Sequence, residues 1–122
     1  MIVGLGLDLV AIDRVATLLG RHRERLLARC FAPGEPDRPD DPQHLAGLLA
    51  AKEAAFKALG TGWGDGVGWR DARVGRRPSG EPRLELVGRA AERAAALGVG
   101  RTHLSITHAG GVAVAVVVLE RA

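Results

Sequence analysis

The sequence predicts an α+β fold: a single domain over residues 1–122 in which a small, mainly antiparallel sheet packs on an Ala-rich helix. Three observations carry that expectation. RTHLSITH at 101–108 and VAVAVVVLE at 112–120 flank a turn at Ala109-Gly110-Gly111, the pattern of a terminal hairpin. Leu45 to Leu59 reads LAGLLAAKEAAFKAL, a helix apolar on almost every side. At 122 residues, 47% hydrophobic and 25% charged, the chain has the size and composition of one globular domain.

The elements follow in order. Residues 2 to 9 alternate as a strand does, with Val3, Leu5, Leu7 and Leu9 on one face and Ile2, Gly4, Gly6 and Asp8 on the other. Glycine inside a strand leaves room for another backbone or a ligand, so Asp8 is expected at a strand end beside open space. A helix is expected from about Asp13 to Arg29, with Val15, Leu18, Leu19, Leu26 and Leu27 inward and Asp13 capping it or filling its first turn. Arg14, Arg21 and Arg25, offset by seven and four, line one flank of that helix within about 40° of one another and read as a solvated charged face.

Pro33 to Pro42 holds four prolines and four acidic residues and reads as a loop. The apolar helix then runs to Gly60, where Gly-Thr-Gly-Trp-Gly-Asp-Gly ends it with a left-handed cap and exposed backbone N–H groups. Arg73 to Arg77 and Arg83 to Val87 form a second hairpin around Pro78, Ser79 and Gly80. A further Ala-rich helix, Arg89 to Leu97, stops at Gly98.

Composition narrows the function. The single Cys30 excludes a disulfide framework and a multi-cysteine zinc site, and suits the cytoplasm. No stretch approaches the length of a membrane span, and MIVGLGLDLV lacks the flank and cleavage site of a signal peptide, so a soluble protein is expected. Net charge is +3 and the sequence pI about 10.0, with fifteen arginines against two lysines. Those arginines are not interleaved with aromatics, which argues against nucleic acid.

Both lysines and one glutamate sit on the apolar helix. Lys52 falls near the middle of its apolar stripe, and Glu53 and Lys57 lie four apart in the favourable order for an ion pair. Buried charges need a partner, a metal or a ligand. Asp8 and Glu53, hard oxygen donors with no His or Cys nearby in sequence, favour Mg²⁺ completed by water and substrate phosphate. His103, Ser105 and Thr107 share one strand face and His108 takes the opposite parity at the turn. No nucleophile elbow surrounds Ser105, which argues against a Ser-His-Asp triad.

GLGLDLVAIDRV at 4–15, FAPGE at 31–35, LAAKEAAFKALGTG at 49–62 and HLSITHAGG at 103–111 together resemble the holo-acyl-carrier-protein synthases, the small 4′-phosphopantetheinyl transferases. The resemblance implies their fold and transfer of the 4′-phosphopantetheine arm of coenzyme A to a serine of apo acyl carrier protein, releasing adenosine 3′,5′-bisphosphate. It implies that Asp8 and Glu53 bind Mg²⁺ and that Lys57 supplies positive charge at the diphosphate, with Glu53, through a water on the metal, as the candidate general base. Coenzyme A contacts fall to Lys52, Lys57, Gly60, Thr61, Gly62, Ser105 and His108. Arg14, Arg21 and Arg25 become anchors for the acidic carrier protein, and the short form implies a homotrimer with active sites at subunit interfaces. Two departures stand out: Leu48 replaces a basic residue found in many relatives, and Ala109 replaces an aspartate found in some. They motivate the alternative of a non-catalytic coenzyme A or carrier-protein binding module of the same fold.

Overall fold

A computed structural model describes residues 1–61 and 66–122. In chain order they form β1 (Ile2–Ala11), α1 (Ile12–Cys30), α2 (Pro42–Leu59), a 3₁₀ turn (Trp69–Asp71), β2 (Ala72–Arg76), β3 (Pro82–Leu86), α3 (Gly88–Leu97), β4 (Val99–Ala109) and β5 (Val112–Arg121). β5 lies between β1 and β4, antiparallel to both, while β2 and β3 pair as a separate antiparallel hairpin. The α+β expectation holds, with every pairing antiparallel.

β5 shows why the main sheet has two unlike faces. Its alternation buries Ala113, Ala115, Val117 and Leu119 and leaves Val112, Val114, Val116 and Val118 half-exposed on the other side. α2 lies against the small-residue face and is buried almost all round, including Leu45, Ala46, Ala50, Ala51, Ala54, Ala55 and Leu59. The turn between β4 and β5 is Gly110-Gly111 with φ of +60° and +81°, the left-handed pair that a two-residue hairpin requires.

α2 starts three residues earlier than its apolar run. Asp41 Oδ1 accepts from the backbone N–H groups of Gln43 and His44 at 3.0 and 3.4 Å, and Pro42 opens the helix where no N–H is needed. Gly60 closes it at φ +70°. In α1, Asp13 lies in the first turn and makes no side-chain cap, and Leu18 stays 37% exposed where it was expected inward. A kink at His22 (φ −140°, ψ 42°) divides the helix, so Arg25 lies across a break from Arg14 and Arg21 and the three do not form one continuous stripe.

Lys52 is fully buried, and its partners lie within the chain. Its ammonium donates to Glu35 at 2.8 Å, to Ala72 O at 2.6 Å and to Trp69 O at 3.1 Å, and stands 5.3 Å from the centre of the Phe31 ring. Glu35 in turn accepts from the N–H groups of Ala32 and Val74 at 2.9 and 2.7 Å. One ion pair therefore ties the loop after α1, the middle of α2 and the second hairpin together. Burial pushes the Lys52 pKa down and Glu35 opposes that shift. The expectation that Lys52 contacts coenzyme A is corrected here, because its three donors are already engaged in the interior.

Removing either partner strands the other charge. Lys52→Met and Glu35→Gln are each expected to destabilise the fold by about 3–5 kcal/mol. The double variant Glu35→Leu/Lys52→Met should recover part of that loss, as read from urea unfolding midpoints.

Candidate active site

The site begins with two glycines. A Cβ on Gly4 would collide with Ala58 O, and one on Gly6 with Ala54 O. Of the two occupants the glycines allowed, the structure places a backbone there: β1 lies directly on the alanine face of α2. Asp8, on the same strand face two residues further on, is thereby brought to the turn of α2 that carries Glu53 and Lys57.

Lys57 Nζ donates to Asp8 Oδ1 at 2.8 Å and to Leu7 O at 3.1 Å. The Glu53–Lys57 pair expected along the helix gives way to this one across elements. Asp8's side chain is 11% exposed while that of Lys57 is 56% exposed, so the amine keeps access to solvent and to a ligand. Asp8 Oδ2 is buried with no hydrogen-bond partner. The Glu53 pKa is raised, chiefly by burial and then by the neighbouring Asp8 carboxylate, while Lys57 and Arg14 partly offset the rise. Two crowded carboxylates, one with an orphaned buried oxygen, form a donor set that fits a hard divalent cation such as Mg²⁺. Among the described residues no cluster of three or more His, Cys, Asp or Glu side chains forms, so water or a substrate oxygen would complete the shell.

The remaining predicted residues divide into four places. Gly60 and Thr61 sit just beyond the last turn of α2, where Thr61 N–H donates to Phe56 O at 3.0 Å, and Gly62 lies outside the described residues. His108 lies at the other end of α2, where its Nε2 is 3.1 Å from Gln43 Nε2. It lines a cleft of about 480 Å³ with Arg38, His44, Leu48 and Arg76. Along the helix, Gln43 at the His108 end of the cleft lies about 15 Å from Glu53, and Leu48 at its near end about 8 Å. Ser105 is aligned with Val116, and Val116 with Leu7, on the outer face of the sheet, opposite Asp8, so one chain does not bring Ser105 to the acid pair. Arg14, Arg21 and Arg25 are all exposed.

The cleft holds residues that the sequence did not single out. Arg38 comes from the Pro-rich loop and Arg76 from β2, and both line the cleft with Leu48, the position lacking a basic residue, Arg38 paired with Asp41 at 3.6 Å and Arg76 with Asp37 at 3.7 Å. His44 has its pKa lowered by burial and by Arg38, and its Nε2 is buried without a partner. Arg38 is the one arginine of the Pro-rich loop, and no local pattern signalled its convergence with β2.

Comparison with known proteins identifies the family and the fold. Residues 4–117 match the family model described as the 4′-phosphopantetheinyl transferase superfamily. A holo-[acyl-carrier-protein] synthase of Nitratidesulfovibrio vulgaris is 50% identical over 123 residues, covering 98% of this chain and 99% of the relative. The Helicobacter pylori holo-[acyl-carrier-protein] synthase in complex with coenzyme A superposes with a TM-score of 0.84 at 31% identity, covering 95% of this chain and 99% of that one. A Bacillus anthracis holo-(acyl-carrier-protein) synthase in complex with CoA (3′,5′-ADP) gives 0.79 at 32% identity, covering 100% and 99%.

Raised above its ordinary value, the Glu53 carboxyl ionises less readily in the folded chain than in the unfolded one. Its contribution to stability is therefore present at low pH and falls as pH rises through the carboxylate range. Asp8→Asn should lower the Glu53 midpoint, measured by carboxyl ¹³C NMR titration; an unchanged midpoint would place the whole shift on burial.

Proposed function

The chain belongs to the 4′-phosphopantetheinyl transferase superfamily, and from that premise we propose that Asp8, Glu53 and Lys57 carry its chemistry. It transfers 4′-phosphopantetheine from coenzyme A to a serine of apo acyl carrier protein, giving the holo carrier protein and adenosine 3′,5′-bisphosphate. The observation that supports the catalytic assignment is the meeting of two carboxylates and one exposed amine where β1 crosses α2.

In the reaction a bond forms between the serine oxygen and the phosphorus that bears the pantetheine arm. The bond from that phosphorus to the bridging oxygen breaks, and the electron pair leaves with the nucleotide phosphate. Asp8 and Glu53 would hold Mg²⁺, which when bound supplies Lewis-acid polarisation and charge neutralisation at the diphosphate. Lys57, fixed at its base by Leu7 O and Asp8, places a second positive charge where negative charge builds on the leaving group. Glu53 accepts the serine proton through an intervening water.

Gly60, Thr61 and Gly62 contact coenzyme A beside this centre. His108, with Arg38 and Arg76, receives negative charge from the nucleotide end, which supplies at Leu48's cleft the charge that Leu48 itself lacks. Arg14 and Arg21, with Arg25 beyond the kink, steer the acidic carrier protein and act mainly on its association rate.

Assembly follows from the outer face of the sheet. Leu5, Leu7 and Leu9 are 65%, 61% and 64% exposed beside half-buried Val114, Val116 and Val118, an apolar surface on a strand whose other face carries Asp8. A homotrimer packed through this face covers it, brings Ser105 under a neighbouring copy, and lets acid pair and arginine cleft come from different chains. Among the described residues no helix is long and apolar enough to cross a membrane. Free, buried Cys30 and the coenzyme A substrate fit the cytoplasm.

Intact-mass spectrometry should show the phosphopantetheine increment on an apo carrier protein with coenzyme A and Mg²⁺. Chelation with EDTA, or Asp8→Ala, should lower the rate at least about 100-fold, and binding without turnover would favour a non-catalytic module. Leu5→Asp/Leu7→Asp should convert the trimer to monomer by light scattering and lower activity with it; an unchanged mass would remove this face as the interface.

A further inference from the structure

The last turn of α2 carries Lys57 and leads into Gly60 and Thr61, so whatever holds that turn sets the geometry of the coenzyme A contacts. Helix C-termini leave their final carbonyls without intrahelical partners and concentrate partial negative charge there. At α2, Gly60 N–H takes Lys57 O at 3.0 Å and Thr61 N–H takes Phe56 O at 3.0 Å. Leu59 O is taken by a side chain from another element: Arg93 of α3 donates from Nε at 3.0 Å. The same guanidinium lies over Gly60, with Nη2 3.7 Å from where a Cβ on that glycine would stand. Ala90 and Ala94 bury the inner side of α3, which presents Arg93 from a rigid base.

We propose that Arg93 is a positioning residue for coenzyme A, a role that rests on the transferase reading above. It does two things at one place. Its hydrogen bond holds the turn that carries Gly60 and Thr61, and its charge offsets the negative end of α2 that would otherwise face an anionic substrate. The cleft beside it, about 490 Å³, is lined by Gly60, Thr61, Val67, Arg89, Glu92 and Arg93, so the guanidinium stands at the edge of open space. Lysine would supply the charge but not the planar donor set that both bonds Leu59 O and covers Gly60.

The test compares Arg93→Met and Arg93→Lys with the parent chain, measuring kcat, KM for coenzyme A, KM for the carrier protein, melting temperature, and direct coenzyme A binding by calorimetry. Arg93→Met should raise KM for coenzyme A about fivefold, the effect of a helix-terminal charge, with kcat, carrier-protein KM and melting temperature little changed. Arg93→Lys should fall between Met and the parent, and it carries the test alone if the Met variant does not fold. An unchanged KM for coenzyme A overturns the proposal, as does a uniform loss of kcat and both KM values that tracks melting temperature. Absence of coenzyme A binding by the parent chain overturns the transferase reading itself, and this role with it.

Discussion

The structure depends on one steric constraint: β1 brings no Cβ at Gly4 or Gly6 where it crosses α2. The carbonyls of Ala54 and Ala58 occupy the space that Cβ atoms on Gly6 and Gly4 would need. Small residues continue around the contact, with Ala113 and Ala115 on the neighbouring strand and Ala50 and Ala51 on the helix, all fully or almost fully buried. Such a core buries less area per residue than one filled with aromatics, and the chain has few aromatics. In exchange for lost area the backbones come close enough for short side chains to meet across the seam. Asp8, with a single methylene before its carboxylate, reaches Lys57 because of it.

Much of this was legible in the sequence where the signal was local. Strand alternation from Gly4 to Leu9, the Gly-Gly hairpin and the apolar run of α2 all set their own elements, since each pattern repeats within a few residues; at the start of β1 a register shift between Ile2 and Gly4 reverses the expected faces, leaving Ile2 exposed and Val3 packed on the core. Glycines beside Asp8 correctly marked a close approach, though not what approached. What escaped was assembled from distant segments. Glu35 is seventeen residues from Lys52 and lies in a loop whose prolines carry no periodic signal. The cleft around His108 draws on the Pro-rich loop, α2, β2 and β4, and no linear motif encodes that convergence. The kink at His22 also left no proline or glycine pair at the break.

Lys52 and Glu53 show how a run of adjacent residues in a motif divides its work. Successive side chains on a helix point about 100° apart, so the lysine faces the interior and the glutamate the surface where β1 crosses. One holds three parts of the fold together, and the other lies beside Asp8 at the proposed reacting centre. Reading the run as one functional unit assigned Lys52 to coenzyme A and Glu53 to the metal; burial separates them. The same division appears between Glu35 and its neighbours: an acid inside a loop of exposed acids, distinguished by what it binds.

β1 carries two surfaces on one short strand, told apart only by odd and even position. Even positions hold the glycines and Asp8 against the helix; odd positions hold Leu5, Leu7 and Leu9 outward. The strand behaves like a message with a reading frame of two. A single residue gained or lost between Gly4 and Asp8 would turn the carboxylate to the apolar side and drive a leucine into a seam with no room for a methyl group. Chemistry and surface hydrophobicity would fail in the same event, so variation in length between Gly4 and Asp8 is confined to changes that preserve parity.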